Sequence, residues 1–193
     1  MKYKDYVKLQ EQGSAWTSAL PYRQFLLKDG INWMIMNFQD TPCKILDLGC
    51  GDGWGTKYMK DHLPDTFVIG GDISKPKVEI AKLKGVDARF MDMHKLEGMY
   101  DVIYCSHSLE HSYDIKKALN SILDHLVTNG KLYLIVPIEP NIKEVADGSH
   151  TQVIKKDSDV LDIIKERKDV VVEFTGHTER EVFELWLIVR KIK

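Results

Sequence analysis

The sequence predicts an α/β fold with a doubly wound, mostly parallel seven-stranded sheet that ends in an antiparallel hairpin. Short apolar runs alternate with helical patterns between residues 44 and 137, which favours right-handed βαβ units. The run Tyr100 to Cys105 has almost no polar interior, as expected of a parallel strand covered on both faces. Two further strand patterns surround Gly176-His177-Thr178 near the C-terminus, which indicates a hairpin.

Composition limits the class of protein. A chain of 193 residues with a net charge of −2 suits one domain with a substantial core. The sequence has no run of five basic residues that would predict a nucleic-acid partner. It also has no apolar stretch of about 18 residues that would predict a membrane span. The N-terminus does not predict a signal peptide, and the three cysteines form no metal or disulfide pattern. A cytoplasmic protein of unknown oligomeric state is expected.

Residues 1–40 predict one or two amphipathic helices, with breaks near Pro21 and Gly30. Trp16 and the apolar group at 33–38 indicate packing against a core, and Thr41-Pro42 ends the segment.

The first strand runs into a glycine-rich loop, K-I-L-D-L-G-C-G-D-G-W-G-T at residues 44–56. Glycines allow unusual backbone angles and a close approach of a ligand to the main chain. The N–H groups at the following helix start carry partial positive charge, so the loop predicts a site for a polar or anionic group. Gly55 fits either the loop or the first helical turn.

The loop's spacing distinguishes between ligands. The dinucleotide pattern G-x-G-x-x-G fails, because Trp54 stands where its third glycine is required. The pattern present is D-x-G-x-G-x-G, and Asp47 at the strand tip suits an ammonium group. This stretch resembles motif I of the class I S-adenosylmethionine-dependent methyltransferases, a Rossmann-like family. No Gly-Lys-Ser/Thr follows that would indicate a phosphate loop.

The resemblance covers about residues 40 to 193 and implies a methyltransferase domain at 41–193 that binds S-adenosylmethionine and releases S-adenosylhomocysteine. It implies that residues 1–40 form a helical lid, the alternative to plain packing. The methionine end of the cofactor would lie on the strand tip and loop, at Asp47, Gly49, Cys50, Gly51 and Gly53.

The second and third strands, Thr66 to Gly71 and Asp87 to Met91, are each followed by an aspartate. Asp72 follows the second strand, where its two acceptor oxygens suit a ribose diol; Ser74 is a predicted N-cap for the next helix. The resemblance assigns the ribose to Asp72 and the adenine to Ile73, Asp92 and the Met93 backbone. By itself Asp92 is only a loop aspartate.

Strand four ends in S-H-S-L-E-H at 106–111, just outside the carboxyl end of a strand, where open α/β sheets bind ligands. It resembles the family's fourth motif, including the Leu-Glu-His of small-molecule methyltransferases, which places Ser106 at the cofactor.

A helix at 114–126, stopped by Asn129-Gly130, precedes a fifth strand at 131–137. Residues 138–156 carry few packing signals, which suggests a substrate loop. A helix at 157–168 and strands at 170–175 and 181–191 complete the chain.

His107-x-x-Glu110-His111 also matches the pattern of inverted zinc peptidases. That site needs both histidines on one helix and a third ligand, whereas His107 is expected in the turn after the strand. The prediction is therefore no metal. His111 is either a helix-start histidine bonded to backbone or a contact to cofactor or substrate.

The predicted activity is methyl transfer to a small molecule whose acceptor atom stays open. Candidates for a general base are His107, His111 and His150. Two alternatives remain: a non-catalytic module that binds the cofactor or a partner, and an NAD-dependent oxidoreductase, which the loop spacing disfavours.

Overall fold

The computed structural model describes residues 1–12, 20–38, 43–139, 150–180 and 182–193. Trp16, Thr41-Pro42, Glu181 and most of the predicted substrate loop lie outside these ranges.

The described residues form seven strands and six α-helices. The strands are β1 Lys44–Leu48, β2 Phe67–Asp72, β3 Ala88–Phe90, β4 Tyr100–Ser106, β5 Leu126–Pro137, β6 Val170–Glu179 and β7 Phe183–Lys191. The helices are α1 Tyr3–Gln12, α2 Pro21–Met36, α3 Trp54–His62, α4 Lys75–Leu83, α5 Ile115–Asp124 and α6 Ser158–Lys165, with a short 3-10 turn at Leu109–His111.

The strand order is β3-β2-β1-β4-β5-β7-β6. Strands β1 to β5 pair in parallel, and β7 pairs antiparallel with both β5 and β6. The predicted fold class is thus confirmed. The order reverses at the neighbouring strands β1 and β4, whose carboxyl ends border the crevice where such sheets bind ligands.

Each face of the sheet carries its own hydrophobic cluster. One cluster joins the central strands to α5 and α6, for example Ile103 to Leu119 and Ile164. The other places Ile31 and Met34 of α2, both fully buried, against the opposite face. This second contact makes α2 part of the core.

Three predicted breaks are wrong in detail. Gly30 lies inside α2, where an added Cβ would come within 2.4 Å of Tyr104 Oη, so the glycine permits close packing of α2 on β4. Asn129-Gly130 does not end a helix, because α5 stops at Asp124 and β5 absorbs Asn129 at a positive φ of 66°. Gly176 pairs with Trp186 inside β6, and the hairpin turns beyond Glu179.

Among the described residues, no helix is both long enough and apolar enough to cross a membrane. The cytoplasmic location stays a prediction.

Candidate functional site

The glycine loop lies between the tips of β1 and β4. Gly49, Gly51 and Gly53 all have positive φ, at 85°, 55° and 78°. A Cβ on Gly49 would lie 1.8 Å from Ser108 Oγ, and one on Gly53 would lie 2.5 Å from Ala81 Cβ. The first glycine therefore brings the loop against the end of β4, and the third brings it against α4. Gly55 lies inside α3, in the first helical turn.

Asp72 joins the loop to the tip of β2. Its carboxylate oxygens accept from Gly51 N at 2.9 Å and from Ser74 N at 2.8 Å. Ser74 occupies the N-cap position of α4, as predicted, but it makes no side-chain capping bond. Both bonds to Asp72 fix the carboxylate at the carboxyl edge of the sheet, where it lines the cavity described below.

Asp47 lies under the loop with its carboxyl group buried. Burial raises its pKa to about 6, although the Thr56 hydroxyl donates to Oδ2 at 2.6 Å and lowers it in part. A Cβ on Gly55 would lie 3.3 Å from Ile31 Cδ1, so this glycine eases the packing of α3 against α2, and 3.6 Å from Asp47 Oδ2, which is an ordinary contact. A buried carboxyl of this kind suits a cationic ligand group.

Asp92 is hydrogen-bonded to His94 through one of its two carboxylate oxygens. Its Oδ1 accepts from the His94 backbone at 2.9 Å and meets His94 Nδ1 at 2.7 Å. Burial opposes ionisation, but these bonds lower the pKa of Asp92 overall. Its Oδ2 is buried with no hydrogen-bond partner within the described ranges, and Asp92 does not line the cavity described below. The adenine contact of Asp92 therefore stays a prediction.

Helix α1 covers this end of the site. The Tyr6 ring is 1% exposed and packs edge-on against His94 and Tyr113, with ring centroids 5.7 and 5.0 Å apart. Gln10 Nε2 donates to the His111 carbonyl at 3.4 Å. Within the predicted lid segment, α1 therefore covers the cavity and α2 packs in the core.

His107 follows β4 in a turn, at a φ of 48°, as the sequence predicts. Its Nε2 lies 2.8 Å from Glu184 Oε1 and its Nδ1 lies 3.8 Å from Glu110 Oε1. Burial lowers the pKa of His107, but the bond to Glu184 and the charge of Glu110 outweigh burial, so the pKa is raised.

Glu184 is a site residue that the sequence reasoning missed. It is 2% exposed on β7 and also accepts from Trp186 Nε1 at 2.9 Å and from Arg180 at 2.8 Å. Burial raises its pKa, but these donors and His107 lower it overall. The only signal in the sequence was a charged residue inside the apolar run F-E-L-W-L-I.

His111 and His150 meet on the same side of the cavity. Their ring centroids lie 4.7 Å apart at 87°. Nδ1 of His150 lies 2.9 Å from Glu139 Oε2. The three predicted histidines therefore converge, although His150 lies 39 residues beyond His111 in the chain.

One cavity of about 660 Å³ connects these groups. Its walls include the predicted residues Asp47, Gly49, Cys50, Gly51, Asp72, Ile73, Met93, Ser106, His107, His111 and His150. Gly53 and Asp92 lie behind the wall. The same cavity also reaches Tyr6, Arg180 and Glu184.

A parallel sheet with this hairpin, and a D-x-G-x-G-x-G loop beside an acidic β2 tip, define the class I S-adenosylmethionine-dependent methyltransferases. The family model described as a methyltransferase domain matches residues 20–165, and the chain belongs to this family. The cofactor of this class is S-adenosylmethionine, as predicted.

Several curated relatives are similar over about half of this chain. The malonyl-[acyl-carrier protein] O-methyltransferase of Bacillus anthracis is 28% identical over 48% of this chain and 37% of its own length. The chain spans between about a quarter and two fifths of the first curated relatives it matches. The ubiquinone biosynthesis O-methyltransferase of Marinobacter nauticus is 24% identical over 97% of this chain and 90% of its own length.

Solved structures share the fold over nearly the whole chain. The N-methyltransferase NodS of Bradyrhizobium japonicum WM9, in complex with S-adenosylhomocysteine, superimposes with a TM-score of 0.74 at 12% identity. That match covers 99% of this chain and 98% of NodS.

Proposed function

We propose that the protein transfers a methyl group from S-adenosylmethionine to an oxygen atom of a small molecule. The observation that carries the proposal is that one cavity joins the glycine loop and Asp72 to His107 and Glu184. Several curated relatives are named as O-methyltransferases, which supports oxygen as the acceptor atom.

The cofactor end of the cavity matches the chemistry of the ligand. Asp47 would face the ammonium group, and the loop N–H groups would face the carboxylate. Asp72 would accept from the ribose hydroxyls, with Ile73 and Met93 beside the adenine. The sulfonium is already an activated electrophile, so the enzyme's main contribution is alignment and the exclusion of water.

His107 would act as the general base. Its bond to Glu184 at 2.8 Å favours the tautomer with hydrogen on Nε2 and leaves Nδ1 to accept a proton. The acceptor oxygen would form a bond to the methyl carbon as the carbon–sulfur bond breaks. The hydroxyl proton would pass to Nδ1, and S-adenosylhomocysteine would leave as a neutral thioether. A positioned base of this kind contributes roughly a hundredfold or more.

Calorimetric titration with S-adenosylhomocysteine tests the cofactor site. We expect micromolar binding to the wild type and at least tenfold weaker binding to Asp72→Ala. Asp61→Ala is the matched control, because Asp61 is exposed on α3 and pairs with Lys57 on the same helix at 3.0 Å. NAD should give no heat of binding. Binding of NAD instead would favour the oxidoreductase alternative.

A transfer assay tests catalysis. Radiolabelled S-adenosylmethionine would be incubated with a panel of small hydroxyl and carboxyl compounds. We expect turnover that falls about a hundredfold in His107→Gln, while affinity for S-adenosylhomocysteine changes less than twofold. Binding of the cofactor with no turnover on any acceptor would favour the non-catalytic module.

A further inference from the structure

Three metal-ligating side chains meet at the histidine end of the cavity. Glu110, His111 and His150 each offer one ligand atom, and these atoms lie within 4.8 Å of one another. His107, which the zinc-peptidase pattern requires, is not part of the cluster. We propose that this cluster binds a divalent transition-metal ion such as Zn²⁺ or Mn²⁺, contrary to the expectation from the sequence.

Glu110 provides the main argument. Its side chain is 1% exposed, and neither carboxylate oxygen has a hydrogen-bond partner within the described ranges. His107 Nδ1 lies 3.8 Å from Oε1, which is too far for a hydrogen bond. Buried carboxylates are normally paired, hydrogen-bonded or coordinated to metal. An ion placed between Glu110 and the two imidazoles would supply the missing partner.

His150 is oriented as a ligand. Its Nδ1 lies 2.9 Å from Glu139 Oε2, and the two side chains are 14% and 11% exposed. A carboxylate that accepts from one ring nitrogen fixes the tautomer, so Nε2 is the nitrogen whose lone pair could coordinate a metal. Glu139 would therefore support the site without touching the ion.

Backbone contacts hold the two ligand-bearing segments together. The Glu110 carbonyl accepts from Thr151 N at 3.1 Å and from Gln152 N at 3.0 Å. The Thr151 hydroxyl also donates to the His111 carbonyl at 3.0 Å. Ligands from distant parts of the sequence are thus positioned before any ion binds, as an efficient metal site requires.

Two imidazoles and one carboxylate suit zinc, manganese or ferrous iron better than magnesium or calcium. Ligands to zinc lie at about 2.0–2.2 Å, so each atom would move toward the ion by less than ~1 Å. The coordination positions that the three side chains do not fill would face the cavity, which His111 and His150 line. There the ion would bind an oxygen of the acceptor. This role rests on the proposed function, whereas metal binding itself does not.

Cobalt titration of the full chain after treatment with a chelator tests the site, because Co²⁺ bound to nitrogen and oxygen ligands absorbs visible light. We expect one equivalent to bind, and Zn²⁺ to displace it. Affinity should fall at least tenfold in Glu110→Gln and in His150→Gln. His177→Gln is the matched control, because His177 pairs with Asp157 on a partly exposed surface.

Circular dichroism and S-adenosylhomocysteine titration of the same samples separate the two proposals. A wild type that binds the nucleoside product but neither Co²⁺ nor Zn²⁺ at micromolar concentration would overturn the metal site and leave the proposed function standing. Equal metal affinity in folded Glu110→Gln and wild type would also overturn it. Metal binding without product binding would support the cluster and contradict the cofactor site.

Discussion

At the scale of single residues, Asp47 has the clearest link between burial and binding. The free protein holds this carboxyl near its midpoint of ionisation at pH 6, because burial disfavours the charged form. A ligand ammonium would favour the charged form and lower the pKa. Binding and proton release at Asp47 are therefore coupled.

We predict that S-adenosylhomocysteine binding near pH 6 releases a fraction of a proton and strengthens as the pH rises from 5 to 7. Calorimetry in two buffers with different ionisation enthalpies measures the released proton directly. Asp47→Asn should bind more weakly, with no proton release over this range. Equal proton release by the wild type and the Asn variant would show that another group is responsible.

Glu184 shows why some site residues escape sequence reasoning. Its side chain belongs to β7, but its partner His107 follows β4, 77 residues earlier in the chain. A lone acidic residue in an apolar strand gives no hint of such a partner. The positions of Asp47, Gly49, Gly51 and Asp72 at the cavity were predictable, because they follow from a short local pattern at strand tips.

At the scale of elements, the β6–β7 corner is tied to α2 by Arg180. The guanidinium donates to the Leu26 carbonyl at 2.8 Å and pairs with Glu184 at 2.8 Å. It also lies 5.0 Å from the centre of the Trp186 ring. The arginine thus fixes Glu184, which in turn holds His107.

We predict that Arg180→Met lowers the free energy of unfolding by about 3 kcal/mol, because it leaves Glu184 buried with less compensation. Arg190→Met is the matched control on the same hairpin. Arg190 pairs with Glu173 where both side chains are about a third exposed, so its loss should cost under ~1 kcal/mol. Urea unfolding of both variants measures the difference, and similar losses would contradict a special role for Arg180.

The hairpin of β6 and β7 also shows which features of an element a sequence pattern does not predict. The sequence pattern identified all seven strands, and the signal was strongest where a buried parallel strand, such as β1 or β4, is mostly apolar. Gly176 suggested a turn, yet it lies inside β6, where a Cβ would meet Phe174 Cζ at 2.6 Å. Glycine marks both turns and close packing, and only tertiary contacts distinguish them.

At the scale of the whole molecule, contacts cross residue 40, where the sequence predicts the boundary between the lid segment and the methyltransferase domain. Helix α2 lies before that point, but Ile31 and Met34 share a cluster with Tyr104 and Trp186 from the sheet. The cavity also draws its walls from both sides of residue 40, including Tyr6 and Leu26. These contacts favour unfolding of the chain as one cooperative unit.

We predict that thermal unfolding gives one transition with the same midpoint by far-UV circular dichroism and by tryptophan fluorescence. Two of the four tryptophans, Trp33 of α2 and Trp186 of β7, contribute to that fluorescence from one cluster. S-adenosylhomocysteine at a hundred times its Kd should add about 2.7 kcal/mol, which raises the midpoint by roughly 5–10 °C for a chain of this size. Both probes should shift together, because a ligand in the proposed site would contact residues on both sides of residue 40. Two separate transitions, with only one moved by the ligand, would instead support an N-terminal segment that unfolds independently of the methyltransferase domain.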